Sequence, residues 1–85
     1  MSEPKRAGRK PLAAGAVYES DNADMGELPP FTEYMFIVLE SFVDEKDGFP
    51  SAKVLFVEGD HVFRPGATYL INPAYWVWTG AWRIA

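Results

Sequence analysis

The stretch from residue 33 to residue 43 constrains the fold more than any other part of the chain. It contains neither glycine nor proline and consists mainly of aromatic and aliphatic residues, a composition that predicts a β-strand. Successive side chains of a strand point to opposite faces of the sheet, and here both sets are largely apolar. Because a sheet with one solvated face would alternate apolar and polar residues, we expect this strand to be covered on both sides.

The sequence after this strand predicts several shorter strands. We expect them at residues 52–58, 61–64, 68–72, 75–78 and 81–84, separated by segments that contain glycine, proline or acidic residues. Five or six short antiparallel strands predict an all-β fold, either a small barrel or a sandwich. The long first hairpin and the tight later turns favour an SH3-like barrel.

The first 30 residues differ in composition from the rest. Of the thirteen aromatic residues in the chain, only Tyr18 lies there. A segment with so little apolar surface cannot offset the entropy lost on ordering. We therefore predict an extended or disordered N-terminal arm over residues 1–30 and a small β-domain over residues 31–85.

Charge is distributed unevenly along the chain. Residues 1–10 carry four basic side chains and one acidic one, whereas residues 11–85 carry four basic and eleven acidic ones. A basic tip on an acidic body predicts contact with an acidic protein surface or with nucleic acid. The residues of the arm predicted to bind a partner are Lys5, Arg6, Arg9, Lys10, Tyr18 and Leu28.

Aromatic residues are concentrated near the C-terminus, and we interpret them as core together with a protein interface. A groove for proline-rich peptides and a stacking platform for single-stranded nucleic acid are the alternatives. Stacking platforms have basic surroundings, but this region offers only Arg64 and Arg83. The predicted partner-binding aromatic residues are Tyr75, Trp76, Trp78 and Trp82.

The sequence offers little for catalysis. It contains no cysteine and one histidine, His61, which excludes disulfides and a zinc site built from Cys and His. Nucleophile-elbow and glycine-rich phosphate-binding motifs are missing. Asp60 precedes His61, but adjacent residues of a strand point to opposite faces. We predict a protein that is not an enzyme and that uses no metal or cofactor.

The leading functional hypothesis is a structural or interaction protein that docks on a larger assembly, such as a viral capsid cement or decoration protein or another virion protein. Chains this short usually need a disulfide, a metal or a partner for support, and the partner here would be the assembly or further copies of the chain. The first alternative is a free SH3-like regulatory or inhibitory protein-binding module. The second is weak nucleic-acid binding through the basic tip.

No membrane contact is expected. The chain lacks a run of about 18 apolar residues, so the sequence predicts no transmembrane segment. Residues 11–17 are too short and too weakly apolar for the core of a signal peptide. The expected location is the cytoplasm or a virion.

Overall fold

The computed structural model describes residues 7–21, 33–46 and 48–85. These residues form five strands and one short helix, and the long apolar stretch of the sequence supplies the longest strand. In chain order the elements are β1 (Val17–Asp21), β2 (Glu33–Val43), β3 (Pro50–Glu58), β4 (Thr68–Ile71), α1 (Trp76–Thr79) and β5 (Trp82–Arg83).

The strands form one antiparallel sheet in the order β4-β3-β2-β1-β5. The last strand returns to the first, so that Arg83 lies opposite Tyr18. Since β4 and β5 are the two edges, the described strands do not close into a barrel. The predicted all-β fold with five or six short antiparallel strands is confirmed, but a closed barrel is not formed.

One face of the sheet carries the core. Phe36 and Phe56 are fully buried at its centre with ring centroids 5.3 Å apart. Phe63 stacks on Phe56 at 4.8 Å and contacts Tyr34 edge-on at 6.0 Å. Aromatic rings bury much area for each residue, which allows a short chain to build this core. The buried hydrophobic residues are Leu12, Ala16, Tyr18, Tyr34, Phe36, Val38, Ala52, Val54, Phe56, Phe63, Ile71, Val77, Trp78 and Ala81.

Part of the segment predicted as an arm belongs to the sheet. Leu12 and Ala16 are 2% and 1% exposed. The N–H of Gly15 donates to the carbonyl of Val38 at 2.8 Å, and the N–H of Val38 donates to the carbonyl of Ala16 at 3.0 Å. β1 then continues the pairing with β2. The sheet thus draws strands from both sides of the boundary predicted at residue 30.

The strand predicted at residues 61–64 is wrong, because a turn occupies this position. The Asp60 carboxylate accepts hydrogen bonds from the N–H groups of Val62 and Phe63 at 2.8 and 3.0 Å. An aspartate that binds backbone N–H groups ahead of it stabilises a turn and removes donors that a strand ladder would need.

The strand predicted at residues 75–78 is also wrong, because α1 forms there. The carbonyl of Tyr75 accepts the N–H groups of Trp78 and Thr79 at 3.1 and 3.2 Å. This single turn of helix buries Val77 and Trp78 against the core. Tertiary burial therefore overrides the β-propensity of the aromatic residues.

Candidate interaction surfaces

The second face of the sheet, opposite the core, is also apolar. Along β2, Tyr34, Phe36 and Val38 are buried in the core, so the side chains between them point to the other side. The same alternation holds on β3, where Val54 and Phe56 are buried. We call this second side the outer face. The apolar residues on this side of the four longest strands include Val17, Met35, Ile37, Leu39, Leu55, Val57 and Leu70. Of these, Leu39 and Val57 lie at the two irregularities of the β2–β3 register.

Strand register brings the residues of the outer face together. Ile37 on β2 lies between Val17 on β1 and Leu55 on β3, which forms an apolar row across the three central strands. Cross-strand neighbours of this kind are close enough for their side chains to touch. These three residues form an apolar row at the centre of the outer face, and Lys53 separates Leu70 from Glu40 in the neighbouring row.

Solvent reaches the outer face. Leu39, Val57 and Leu70 are 44%, 46% and 66% exposed, whereas the core residues on the same strands are nearly fully buried. The expectation that both faces of β2 are covered is therefore met for one face only within the described part of the chain. The few charged neighbours include Lys53, which lies opposite Glu40.

The predicted aromatic binding residues occupy three different environments. Trp78 is fully buried, and its indole N–H donates to the carbonyl of Lys10 at 3.0 Å. Trp76 is half-buried and packs edge-on against Tyr34 and Phe63 at 6.3 and 5.6 Å. Tyr75 is 39% exposed. Trp78 is thus a core residue, and Tyr75 is the most exposed of these three residues.

Trp82 and Tyr18 lie on adjacent strands, β5 and β1. Trp82 lies on β5 opposite Glu19 and is half-buried. Tyr18 is 7% exposed, stacks on Phe36 at 5.7 Å and accepts the N–H of Ala13 at its hydroxyl oxygen at 3.0 Å. The residues predicted as an arm anchor and as an aromatic surface are therefore neighbours within one sheet.

Arg9 and Lys10 are both exposed and lie in a tight turn. The N–H of Lys10 donates to the carbonyl of Ala7 at 3.1 Å, and Gly8 has a φ of +59°. Glycine adopts this left-handed conformation at no steric cost. The predicted contact residues that lie outside the described residues are Lys5, Arg6 and Leu28.

A pocket of about 310 Å³ lies beside this turn. Three segments that are distant in the sequence meet there: the turn itself, the start of β3 and the segment that follows β4. Sequence reasoning missed this pocket because no local pattern reports such a convergence. Its lining residues are Arg9, Phe49, Pro50, Asn72, Pro73 and Ala74.

Asp60 joins the turn after β3 to the core. The hydroxyl of Tyr34 donates to one carboxylate oxygen of Asp60 at 2.6 Å, while two backbone N–H groups donate to the other. Burial alone would raise the pKa of Asp60. The hydrogen bonds from Tyr34, Phe63 and Val62 and the charge of His61 outweigh burial and lower that pKa below its ordinary value of 3.8. These hydrogen bonds fix the turn, and they occupy both oxygens of the carboxylate.

Across residues 7–21, 33–46 and 48–85, no three His, Cys, Asp or Glu side chains cluster closely enough to hold a metal ion. No helix in this same part of the chain has the length and apolar character needed to cross a membrane. No protein family model, curated protein or solved structure matches the sequence or the fold of this chain.

Proposed function

We propose that this chain is a non-enzymatic interaction protein that docks on a larger assembly through the outer face of its sheet. The observation that carries the proposal is the exposure of Leu39, Val57 and Leu70 on a sheet face whose central row is also apolar. Monomeric proteins rarely leave contiguous apolar surface open to water unless it binds something.

The size of the outer face supports a protein partner. The four longest strands, about 4.8 Å apart, cover a width of about 19 Å, and the four residues that the shortest of them contains rise about 14 Å, which gives about 270 Å² of flat area. Contiguous apolar patches of a few hundred Å² on monomers are often functional. A partner that also covers the polar rim would bury the roughly 600 Å² per side found at the lower end of stable interfaces.

Charge also favours protein over nucleic acid. The chain carries a formal charge of −4, and Lys53 on the outer face lies opposite Glu40. Protein surfaces that bind nucleic acid present to the phosphates several lysines or arginines whose charge no acidic residue offsets. The outer face offers apolar contact area instead, so nucleic-acid binding remains a proposal for the basic N-terminal tip alone.

The small size of the chain supports docking on a larger assembly. The chain has 85 residues and no cysteine, so no disulfide adds to its stability. Docking would supply the missing support by covering the open side of the sheet. A viral capsid that carries cement or decoration subunits is an assembly of this kind, and a homo-oligomer is another.

The second candidate function is a free SH3-like binding module. It is favoured by the long β2–β3 hairpin, the short edge strands and the return of β5 to β1. The pocket next to Arg9 and the exposed ring of Tyr75 would then belong to the binding side. This candidate predicts a stable monomer whose partner contacts the pocket and leaves the outer face free.

Two sets of variants separate these candidates. Leu39→Glu combined with Leu70→Glu places charge on the outer face, whereas Val62→Glu changes a residue of similar exposure, 49%, in the turn after β3. The wild type, the double variant and the Val62→Glu variant are each tagged and used for affinity purification from the native source. Quantitative mass spectrometry then identifies the proteins that each of them retains. Folding is checked by amide NMR spectra.

We expect the double variant to retain at least about tenfold less of the proteins that the wild type and the Val62→Glu variant both retain. Sedimentation of the purified chain identifies the case in which the partner is a second copy. Equal retention by the double variant, with its fold intact, would contradict docking through the outer face.

A further inference from the structure

The pocket beside Arg9 has a feature that the proposed function does not use, which is a positioned cation at the rim of an apolar hollow. Two backbone hydrogen bonds hold the turn that carries Arg9. The N–H of Ala7 donates to the carbonyl of Ala81 at 2.7 Å, and the N–H of Gly8 donates to the carbonyl of Thr79 at 3.1 Å. The turn is thereby fixed to the segment that joins α1 to β5.

A third hydrogen bond fixes the other side of the same turn. The carbonyl of Lys10 accepts the indole N–H of the fully buried Trp78 at 3.0 Å. Arg9 therefore sits between two anchored residues although its own side chain is exposed. A cation whose backbone is already ordered loses less entropy on binding a ligand than one on a free chain.

The opposite wall of the pocket is apolar. Phe49 is 53% exposed, and Pro50 pairs with Val43 at the start of β3. Pro73 and Ala74 complete the lining. Neither proline has a backbone N–H, so this wall offers a ligand mainly van der Waals contact.

Asn72 supplies the second polar group. Its Oδ1 atom accepts the N–H of Ala74 at 2.8 Å, and its carbonyl accepts the N–H of Tyr75 at 3.0 Å. With Oδ1 engaged, the Nδ2 amide is the part of the side chain that remains to bind a ligand. The polar side-chain groups that Arg9 and Asn72 offer to the pocket are therefore both donors.

We propose that this pocket binds a carboxylate attached to an aromatic or aliphatic group. Arg9 and Asn72 donate to the carboxylate, and Phe49 with the two prolines contacts the apolar group. A guanidinium and an amide donor that line the same pocket suit the two acceptor oxygens of a carboxylate. The volume of about 310 Å³ falls at the small end of ligand pockets, which fits one apolar group and its acid.

The carboxylate could come from a free organic acid or from the C-terminus of a peptide, and the experiment includes both. The first probe is 3-phenylpropanoate, the second is its neutral amide, and the third is the peptide N-acetyl-glycyl-glycyl-phenylalanine with a free carboxylate. Each is titrated into the ¹⁵N-labelled full chain, and amide shifts are followed in the wild type, Arg9→Gln and Arg64→Gln. Arg64 is an exposed arginine outside the pocket lining.

We expect both carboxylates to give saturable shifts at the amides of Phe49 and Ala74. The neutral amide probe should bind the wild type at least about fivefold more weakly than 3-phenylpropanoate does, because a charge-assisted hydrogen bond is lost. For the same reason, the Arg9→Gln variant should bind the carboxylates at least about fivefold more weakly than the wild type. The Arg64→Gln variant should bind them as the wild type does. Added salt should weaken binding of the two carboxylate probes more than binding of the neutral amide probe. Tighter binding of the peptide identifies a peptide C-terminus as the ligand, and tighter binding of the free acid identifies a small molecule.

Three results would overturn the proposal: no saturable shift at the pocket, equal binding of acid and amide, or unchanged binding in Arg9→Gln. Shifts confined to the outer face would count with the first of these. This test is independent of the docking experiment, since none of the residues lining the pocket belongs to the outer face.

Discussion

Trp78 joins the beginning of the described chain to its end. Its side chain is fully buried, and its indole N–H reaches a carbonyl 68 residues earlier in the sequence. A hydrogen bond over such a separation contributes to the fold only when both segments are in place, so the residue reports on the whole core. The aromatic run near the C-terminus thus contributes one of its three tryptophans to the core and not to an accessible surface.

Replacing Trp78 with Phe should lower the free energy of unfolding by about 2 to 3 kcal/mol, because it leaves a gap and an unpaired Lys10 carbonyl. Urea unfolding followed by circular dichroism measures the change. Tyr75→Phe, at a residue that is 39% exposed, is the matched control and should change stability by less than about 0.5 kcal/mol. Equal effects of the two substitutions would argue against the structural role of the indole.

Asp60 should make stability depend on pH. Its pKa in the folded protein lies below the ordinary value of 3.8, chiefly through the Tyr34 hydroxyl and the backbone N–H groups that outweigh burial. A group with a lowered pKa stabilises the fold above its unfolded pKa, and this contribution disappears as pH falls through the folded value. Asp60→Asn should therefore be less stable than the wild type at pH 7.

The difference in stability between the wild type and Asp60→Asn should narrow as the pH falls below the ordinary pKa of 3.8 and through the lowered pKa of Asp60. Urea midpoints measured across this pH range test the expectation. Glu45→Gln, which alters an exposed carboxylate in the β2–β3 loop, provides the comparison. Stability curves that stay parallel for the wild type and Asp60→Asn down to the lowest pH would show that the carboxylate charge is not what holds the turn.

At the scale of elements, the turn after β3 depends on a close backbone approach. A Cβ atom on Gly59 would lie 1.8 Å from the carbonyl oxygen of Phe63, which itself accepts the N–H of Asp60 at 2.9 Å. Phe63 is 4% exposed and stacks on Phe56. The turn can open for a methyl group only by moving a core aromatic residue.

Gly59→Ala should therefore cost about 2 to 4 kcal/mol of stability, as strained backbone and disturbed packing do elsewhere. Thermal unfolding by calorimetry gives the value. Gly48→Ala is the paired control, because a Cβ there meets nothing within 4 Å and the cost comes only from its φ of +73°, about 1 kcal/mol. If both alanine variants unfold at the same temperature, the close contact at Gly59 does not constrain the turn.

The long hairpin could be predicted closely from the sequence. The predicted bounds of β2, residues 33–43, match the structure, and the predicted β3 starts two residues late. Both strands are rich in branched and aromatic residues whose preference for strands is strong. The apolar residues on both faces of β2 also predict an apolar outer face. They predict a cover on both sides as well, whereas the described residues cover only one side.

β1 and α1 could not be predicted because tertiary contacts decide them. Val17–Asp21 contains three polar residues, and its strand conformation comes from pairing with β2 and β5. Trp76–Thr79 has a strand-like composition but folds as a turn of helix that buries Val77 and Trp78. The pocket beside Arg9 is a third case, since it needs three segments that only the folded chain brings together.

For the whole molecule, the N-terminal segment and the body form one cooperative unit over the described residues. Residues 7–16 contribute Leu12 and Ala16 to the core and supply the carbonyl that binds Trp78. β1 lies between β2 and β5. A truncation meant to remove only a binding arm would therefore remove part of the fold. Loss of partner binding after such a truncation would not show that the N-terminal segment contacts the partner.

Deleting residues 1–16 should cost about 4 kcal/mol or more, combining the burial of Leu12 with the loss of the acceptor for Trp78. Small domains have about 5 to 15 kcal/mol in total, so the truncated chain should be marginal. Deleting residues 1–6, which leaves every described contact in place, is the control. Urea unfolding and the dispersion of amide NMR signals compare the two. A Δ1–16 chain with dispersed signals and the midpoint of the full chain would show that the sheet folds without its N-terminal cover.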